Sequence, residues 1–350
     1  MPEEFLNTTE SFKPWTEQHA PQRILAIRLQ AFGDTFIAIS YLQSLRNILP
    51  KNTKLDIMVR EEFKNIAINL DLFDNVYILK GGNRTRYQLL YLIPLLIKLK
   101  FRKYDVILDL QNNFISNIIR KFITPLCYTE FDRLSSQHAG IRTKQTINKA
   151  NIGTITENYN YTFKNKQTAK HIIDKYNWKP GEKLIVLNPA GAFENRNWET
   201  NKYIELAKQL LKDYDSNLRF VVFGTYKISE KVKQLEDALG DKLINLIEET
   251  SQSEALALMQ KIDLMISEDG ALLHMAYLSQ KNTIAIIGPT RSDWMNPKLP
   301  HTHFFTADNL ECGNCMLEKC KLPRTLCMEQ VTVQMVFDKA VEFLKATTNA

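Results

Sequence analysis

The chain has 350 residues, 44% of them hydrophobic, with a formal net charge of +6. That length exceeds the roughly 100–200 residues of one typical domain, so two domains are expected. No window offers the run of about 18 uncharged apolar residues that a membrane span needs, and a balance this mildly basic reads as a Lys-rich solvated surface before it reads as a nucleic-acid footprint.

Residues 1–22 form a polar stretch with little to bury, and acids stand where a signal peptide would place basic and then apolar residues. A cytoplasmic protein is the expectation. Arg23 to Leu29 (RILAIRL) reads as a buried strand, Ala31-Phe32-Gly33-Asp34 as a turn, and Thr35 to Leu49 as a helix that Pro50 ends. Leu55–Val59, Val76–Leu79 and Val106–Leu110 read as further strands, with a helix near 87–100 before the last. The basic run Lys98 to Lys103 after that helix's apolar stretch has two readings. We place the exposed end of a buried helix, where cations suit the dipole, ahead of a segment lying on a membrane surface.

From about 140 to 181 the chain turns rich in Asn, Thr and Lys and ends at Lys179-Pro180-Gly181. This reads as a domain connection with a helix near Thr168–Tyr176. Alternation then resumes: strands at Lys183–Asn188, Arg219–Phe223, Leu264–Ile266 and Thr283–Ile287, helices at Asn201–Tyr214, Glu230–Leu239 and 252–260, and a closing helix at Val331–Lys345. Strands alternating with helices imply parallel sheets, so the fold class is α/β. The reading is two Rossmann-like parallel-sheet domains facing a central cleft; one large sheet is the alternative. The domains are set at 23–165 and 166–350, after the 1–22 extension.

Ligands of such sheets sit beyond the carboxyl ends of the strands, which directs attention to four loops. In the first, Gly33 permits a tight turn and Thr35 opens the helix beside Asp34. Asp34 is either an N-terminal cap or a general base toward an acceptor hydroxyl. The second is Asn188-Pro189-Ala190-Gly191-Ala192, followed by Arg196-Asn197-Trp198. Backbone amides around Asn188, Ala190 and Gly191 suit a diphosphate, and Arg196 neutralises charge on a leaving group, while a turn with a surface arginine is the plain alternative. Trp198 reads as a packing residue. In the third loop Asp269-Gly270-Ala271 turns into a helix carrying His274, which is either a packing residue or a ligand contact. The fourth, Gly288-Pro289-Thr290-Arg291, borders the same region. Neither Gly-x-x-x-x-Gly-Lys nor a clean Gly-x-Gly-x-x-Gly occurs, which disfavours ATP hydrolysis and nicotinamide chemistry.

Four of five cysteines, Cys312, Cys315, Cys320 and Cys327, fall in one segment with spacing C-x2-C-x4-C-x6-C. Reduced thiols rank first, a structural zinc site second and disulfides third. Cys127 reads as buried.

In this order the loops resemble the bacterial heptosyltransferase family, glycosyltransferase family 9, from about Ile24 to Leu344. ILAIRLQAFGDTFIAISYLQSLRNILP is similar to the family's strand, Gly-Asp turn and helix, which gives Asp34 the part of catalytic base. LNPAGAFENRNW resembles its donor-phosphate loop, with Arg196 at a basic position usually held by lysine. SEDGALLHMAYLSQKNTIAIIGPT resembles the Asp-Ser/Thr-Gly-x-x-His-x-Ala signature; Asp269 and His274 match, while Gly270 and Ala271 replace the hydroxyl residue and the glycine. Phe131-Asp132-Arg133 loosely matches an acceptor-side stretch. The resemblance implies a GT-B, inverting, metal-independent transferase with no required cofactor. Its donor would be ADP-heptose or another nucleotide sugar, bound by the C-terminal half. Its acceptor would be a glycan or glycolipid such as lipopolysaccharide core, bound by the N-terminal half of a monomer. Peripheral contact with the inner membrane fits such an acceptor. The rival readings are an epimerase or a GT-B transferase with another donor, a non-catalytic nucleotide-sugar binder and, on charge alone, a nucleic-acid binder.

Overall fold

The structure is a computed structural model that describes residues 11–155, 160–179, 181–191 and 193–348. The chain divides after Asn165 into two compact units, each built on its own sheet, so the single-sheet alternative is set aside.

The first unit runs β1 (Arg23–Ile27), α1 (Phe32–Ile48), β2 (Lys54–Arg60), α2 (Lys64–Asn69), β3 (Asn75–Leu79), α3 (Thr85–Arg102), β4 (Val106–Asp109), α4 (Phe114–Ile123), β5 (Cys127–Glu130) and α5 (Ala139–Asn148). Its sheet has the order β3-β2-β1-β4-β5, and all four pairings are parallel. Helices cover both faces of such a sheet, which is why β1 reads as an unbroken apolar run. Helix α1 is buried at nearly every position from Gly33 to Leu45, because α5 and the chain around Tyr161 close over the side turned from the sheet. Leu49, held extended ahead of Pro50, stops it. Helix α4 begins on a reciprocal cap: Asn113 Oδ1 accepts from the Ser116 amide at 2.9 Å and Ser116 Oγ from the Asn113 amide at 2.9 Å.

Three expectations change here. The stretch after residue 140, read as a connection, contains most of α5, packed so tightly on α1 that a Cβ at Gly140 would lie 2.8 Å from Tyr41 Oη. Residues 11–22 of the supposed polar extension are docked: Lys13 bridges to Tyr128, and Trp15 is 5% exposed with its indole N–H donating to the His19 carbonyl at 2.8 Å. Residues 1–10 lie outside the described ones, as do 156–159 and Pro180 of the connection. Finally, α3 is not a buried helix, since it buries only Gln88, Leu92 and Leu99.

The second unit runs α6 (Lys170–Lys175), β6 (Leu184–Asn188), α7 (Thr200–Asp213), β7 (Arg219–Gly224), α8 (Ser229–Leu239), β8 (Leu243–Ile247), α9 (Gln252–Met259), β9 (Leu264–Glu268), α10 (Ala271–Leu278), β10 (Asn282–Ile286), α11 (Ser292–Met295), β11 (Thr302–Phe305), α12 (Leu326–Glu329) and α13 (Val333–Thr348). The sheet order is β11-β10-β9-β6-β7-β8. Trp198, Tyr203, Phe220 and Leu235 build the core under α7 and α8, and Val336 and Leu344 of α13 extend it.

Candidate functional site

In each sheet the strand order reverses at one place, and loops leaving the two strands there diverge to open a crevice at their carboxyl ends. The reversal lies between β1 and β4 in the first unit and between β6 and β9 in the second. The loops singled out from the sequence fall on both places.

After β1, helix α1 starts at Phe32, earlier than expected. Gly33 therefore sits in the first helical turn and not in a tight turn, and Asp34 occupies the third position of the helix. Its Oδ2 accepts from the Ala31 amide at 3.3 Å and pairs with Arg28 Nη2 at 2.7 Å. Thr35, expected to line the site, is fully buried and turns its hydroxyl back to the Ala31 carbonyl at 2.8 Å. The Asp34 side chain keeps 37% exposure, so the carboxylate is both capped and accessible.

Arg28, beside Asp34, is one residue that the sequence reading does not single out. Burial pushes its guanidinium below the usual arginine range while Asp34 holds it up. It donates to the Leu110 carbonyl and stacks 4.9 Å from the Phe131 ring, which Arg142 approaches to 4.9 Å as well. The β1 loop is tied to the β4 loop by Gln111 Oε1, which accepts from the Leu29 and Gln30 amides at 2.8 Å. Asp109 closes the floor. Its Oδ1 accepts from the Gln111 and Asn112 amides at 3.1 and 2.7 Å, and burial pushes the carboxyl up to about 6. The exposed Asp34 carboxylate thus stands against Arg28, with Arg133 and Arg142 within electrostatic reach of that pair.

In the second unit a buried acid organises everything. Glu268, at the end of β9, accepts the Gly191 amide through Oε2 at 2.7 Å and the Trp198 amide through Oε1 at 2.6 Å. Burial pushes its carboxyl up to about 7, and Lys231 opposes that rise. Lys231 in turn donates to the Pro189 carbonyl at 2.8 Å and Asn197 Oδ1 at 2.6 Å. The 188–198 loop is therefore clamped at both ends. Ala192 lies outside the described residues. Gly191 has no room for a side chain: a Cβ would stand 2.7 Å from the Arg196 carbonyl oxygen and 2.9 Å from Glu268 Oε2. Overpacking against backbone costs about 1–3 kcal/mol, so Gly191→Ala should lower the thermal midpoint measurably in a melting experiment.

Arg196 Nη1 pairs with Asp269 Oδ2 at 2.8 Å, and Thr290 Oγ1 donates to the same oxygen at 2.5 Å. Asp269 and Thr290 thus hold Arg196 in place. The buried polar atoms without a hydrogen-bond partner among the described residues include three of this loop, Asn188 Oδ1, Asn195 Oδ1 and Arg196 Nε. Asn188 Nδ2 donates to Ser267 Oγ at 2.8 Å, which leaves its oxygen aimed elsewhere. Gly270 is the extended cap of α10, and a Cβ there would first meet the Ala190 oxygen at 3.4 Å. The first-turn amides of α10, from Ala271 onward, add positive potential beside Arg196. His274 Nδ1 lies 2.7 Å from Tyr277 Oη, which fixes the ring. Trp198 is fully buried, as its packing reading requires.

The four tail cysteines are free thiols around one cavity of about 300 Å³ that Asn195, Pro289 and Leu317 complete. Burial, with its three neighbours, pushes the Cys327 thiol up to about 11. Among the described residues no group of three or more His, Cys, Asp and Glu side chains is arranged to hold a metal ion. Cys127 is buried.

The two raised carboxyls set a pH dependence. Glu268 near 7 and Asp109 near 6 lie above ordinary values of 4.5 and 3.8, so the folded protein keeps protons the unfolded chain has released. Their contribution to stability is complete below the unfolded values of 4.5 and 3.8 and is lost as pH rises from there through the folded values of about 7 and about 6. The thermal midpoint should fall across that window, and Glu268→Gln should flatten its upper part in a pH series of melting curves.

Residues 94–326 match glycosyltransferase family 9 (heptosyltransferase). The chain is similar to lipooligosaccharide heptosyltransferase 2 of Campylobacter jejuni, 25% identical over 174 residues, 47% of this chain and 52% of that protein. It thus spans about half the length of that relative. The match to lipopolysaccharide heptosyltransferase 1 of Campylobacter coli is longer, 22% identical over 295 residues, 77% of this chain and 85% of the other. Among solved structures, Escherichia coli heptosyltransferase WaaC with ADP-2-deoxy-2-fluoro heptose has a TM-score of 0.65 at 17% identity, covering 91% of this chain and 99% of that one. That likeness shows a common two-sheet GT-B fold.

Proposed function

The chain belongs to glycosyltransferase family 9, the heptosyltransferases, and from that premise we propose that it moves heptose from ADP-heptose to a lipopolysaccharide core or related surface glycan. The observation that carries the reading is Arg196 in the loop that follows β6, held by Asp269 with its Nε still unpaired among the described residues. A diphosphate resting on the 188–191 loop and the start of α10 would receive that N–H together with helix amides. The charge released as the sugar–phosphate bond breaks would build on oxygens already facing fixed donors, which needs no metal ion. Asp34 in the first unit would take the proton of the attacking hydroxyl, and displacement in a single step would invert the anomeric carbon. Arg28, Arg133 and Arg142 suit an acceptor bearing carboxylate or phosphate groups.

A thermal-shift series with ADP, UDP, GDP, CDP and ADP-heptose tests the donor assignment. Ligand at 100 times its dissociation constant adds about 2.7 kcal/mol, which raises the midpoint of a domain of this size by several degrees. ADP and ADP-heptose should do so and UDP should not. Stabilisation by none of them would remove the donor site from this loop.

A further inference from the structure

Helix α3 carries a surface that the transfer chemistry leaves unused. Its buried residues Gln88, Leu92 and Leu99 share one side. On the opposite side Leu90, Ile93, Ile97 and Phe101 are exposed by 64, 59, 53 and 82%. At 3.6 residues per turn these four lie within an arc of roughly 80°. They form a continuous apolar stripe, bordered by the exposed Tyr87 and Tyr91.

The charge carried by the segment around the stripe has one sign. From Asn75 through Tyr104 there is no Asp or Glu, while Lys80, Arg84, Arg86, Lys98, Lys100, Arg102 and Lys103 all fall there. Helix α4 continues the face. Lys100 Nζ joins the two helix ends by donating to the Phe122 and Ile123 carbonyls at 2.9 and 3.1 Å. Phe122 is 44% exposed beside Lys121, and residues 110–129 contain no acid either.

Monomers rarely leave so large an apolar patch uncovered. We infer that this face of α3, with the end of α4, docks on a bilayer rich in anionic phospholipid. The stripe enters the headgroup boundary, the tyrosines sit at the interface and the cations meet lipid phosphates. Leu92 and Leu99 stay anchored in the core, so α3 lies on the bilayer and does not cross it; among the described residues no helix is long and apolar enough to span one. A protein partner would need an acidic rim around an apolar centre, whereas an anionic bilayer supplies both everywhere.

Co-sedimentation of the full chain with vesicles tests this, using phosphatidylcholine alone and phosphatidylcholine mixed with phosphatidylglycerol. Wild type should partition into the anionic vesicles and be released by salt. Ile97→Ser with Phe101→Ser should weaken binding about tenfold or more, and Arg86→Gln with Arg102→Gln about fivefold per cation removed. Tyr226→Ser, an equally exposed aromatic of the second unit, should bind as wild type. All these side chains are exposed, so unchanged melting curves certify folding. Equal binding to both vesicle types, or stripe variants that bind as wild type, overturns the inference. So does a wild-type dimer that ignores vesicles and is split by the stripe variant. No nucleotide sugar enters the assay, so its failure is distinguishable from failure of the transfer reaction.

Discussion

Asp34→Asn should lower turnover about 10²–10⁴-fold, the range a positioned general base contributes, while the donor still stabilises the protein as in wild type. The substitution is close to isosteric. Asparagine keeps an oxygen to cap the Ala31 amide, which Asp34 accepts at 3.3 Å, so α1 should start where it does now. What it removes is the charge facing Arg28 at 2.7 Å and the ability to accept a proton. A variant that folds, binds ADP and fails to turn over places the loss in the chemical step. Arg28→Lys is the companion: it keeps a cation but not the planar fork that reaches Asp34 and the Leu110 carbonyl together. It should lower turnover less, by way of a misplaced carboxylate.

The second large effect is expected at Arg196. Removing one fixed donor from developing charge typically costs about 10²–10³ in turnover, and Arg196→Ala should lose that and most of the ADP-induced shift. Alanine would also leave Asp269, 9% exposed in its side chain, without its cation and with only the Thr290 hydroxyl, so a lower melting point should accompany the kinetic loss. Arg196→Lys separates the two. It restores a charge near Asp269 but offers a point donor in place of a fork, and should recover stability with only part of the turnover. Wild-type kinetics in either variant would show that the diphosphate lies elsewhere.

The parts of the fold that the sequence made legible are those where local pattern and global burial agree. Apolar runs at β1, β6 and β9 sit at the centre of their sheets, covered on both faces, and their boundaries are marked by Gly or Pro. The sequence reading does not include the edge strands β5, β8 and β11; CYTE and THFF are four residues long and mix polar with apolar positions, and LINLI stands only three residues after helix α8. Helix α3 misled for a different reason. It is apolar all round, so its period does not say which side is buried, and the basic run at its end was read as a helix terminus when the whole outer face is exposed.

The loops proposed to carry the site stand out in the sequence because strand ends are where parallel sheets place ligands. Their partners do not. Arg28 reaches the Leu110 carbonyl, 82 positions away, and Glu268 clamps amides 70 and 77 positions distant. A signal for Glu268 did exist. It follows the apolar Leu264–Ile266 and Ser267 without a turn residue, and an acid inside a buried strand must find buried donors. The sequence places Asp269 on a strand-end loop, but not the Arg196 and Thr290 contacts that its oxygen makes.

The most direct test of the account is mass spectrometry of a heptose-deficient lipopolysaccharide acceptor after incubation with ADP-heptose, with released ADP quantified in the same sample. With wild type the acceptor should gain one heptose for each ADP released, and both signals should fall together for Asp34→Asn. ADP release without gain by any core acceptor, or equal product from wild type and Asp34→Asn, would contradict it.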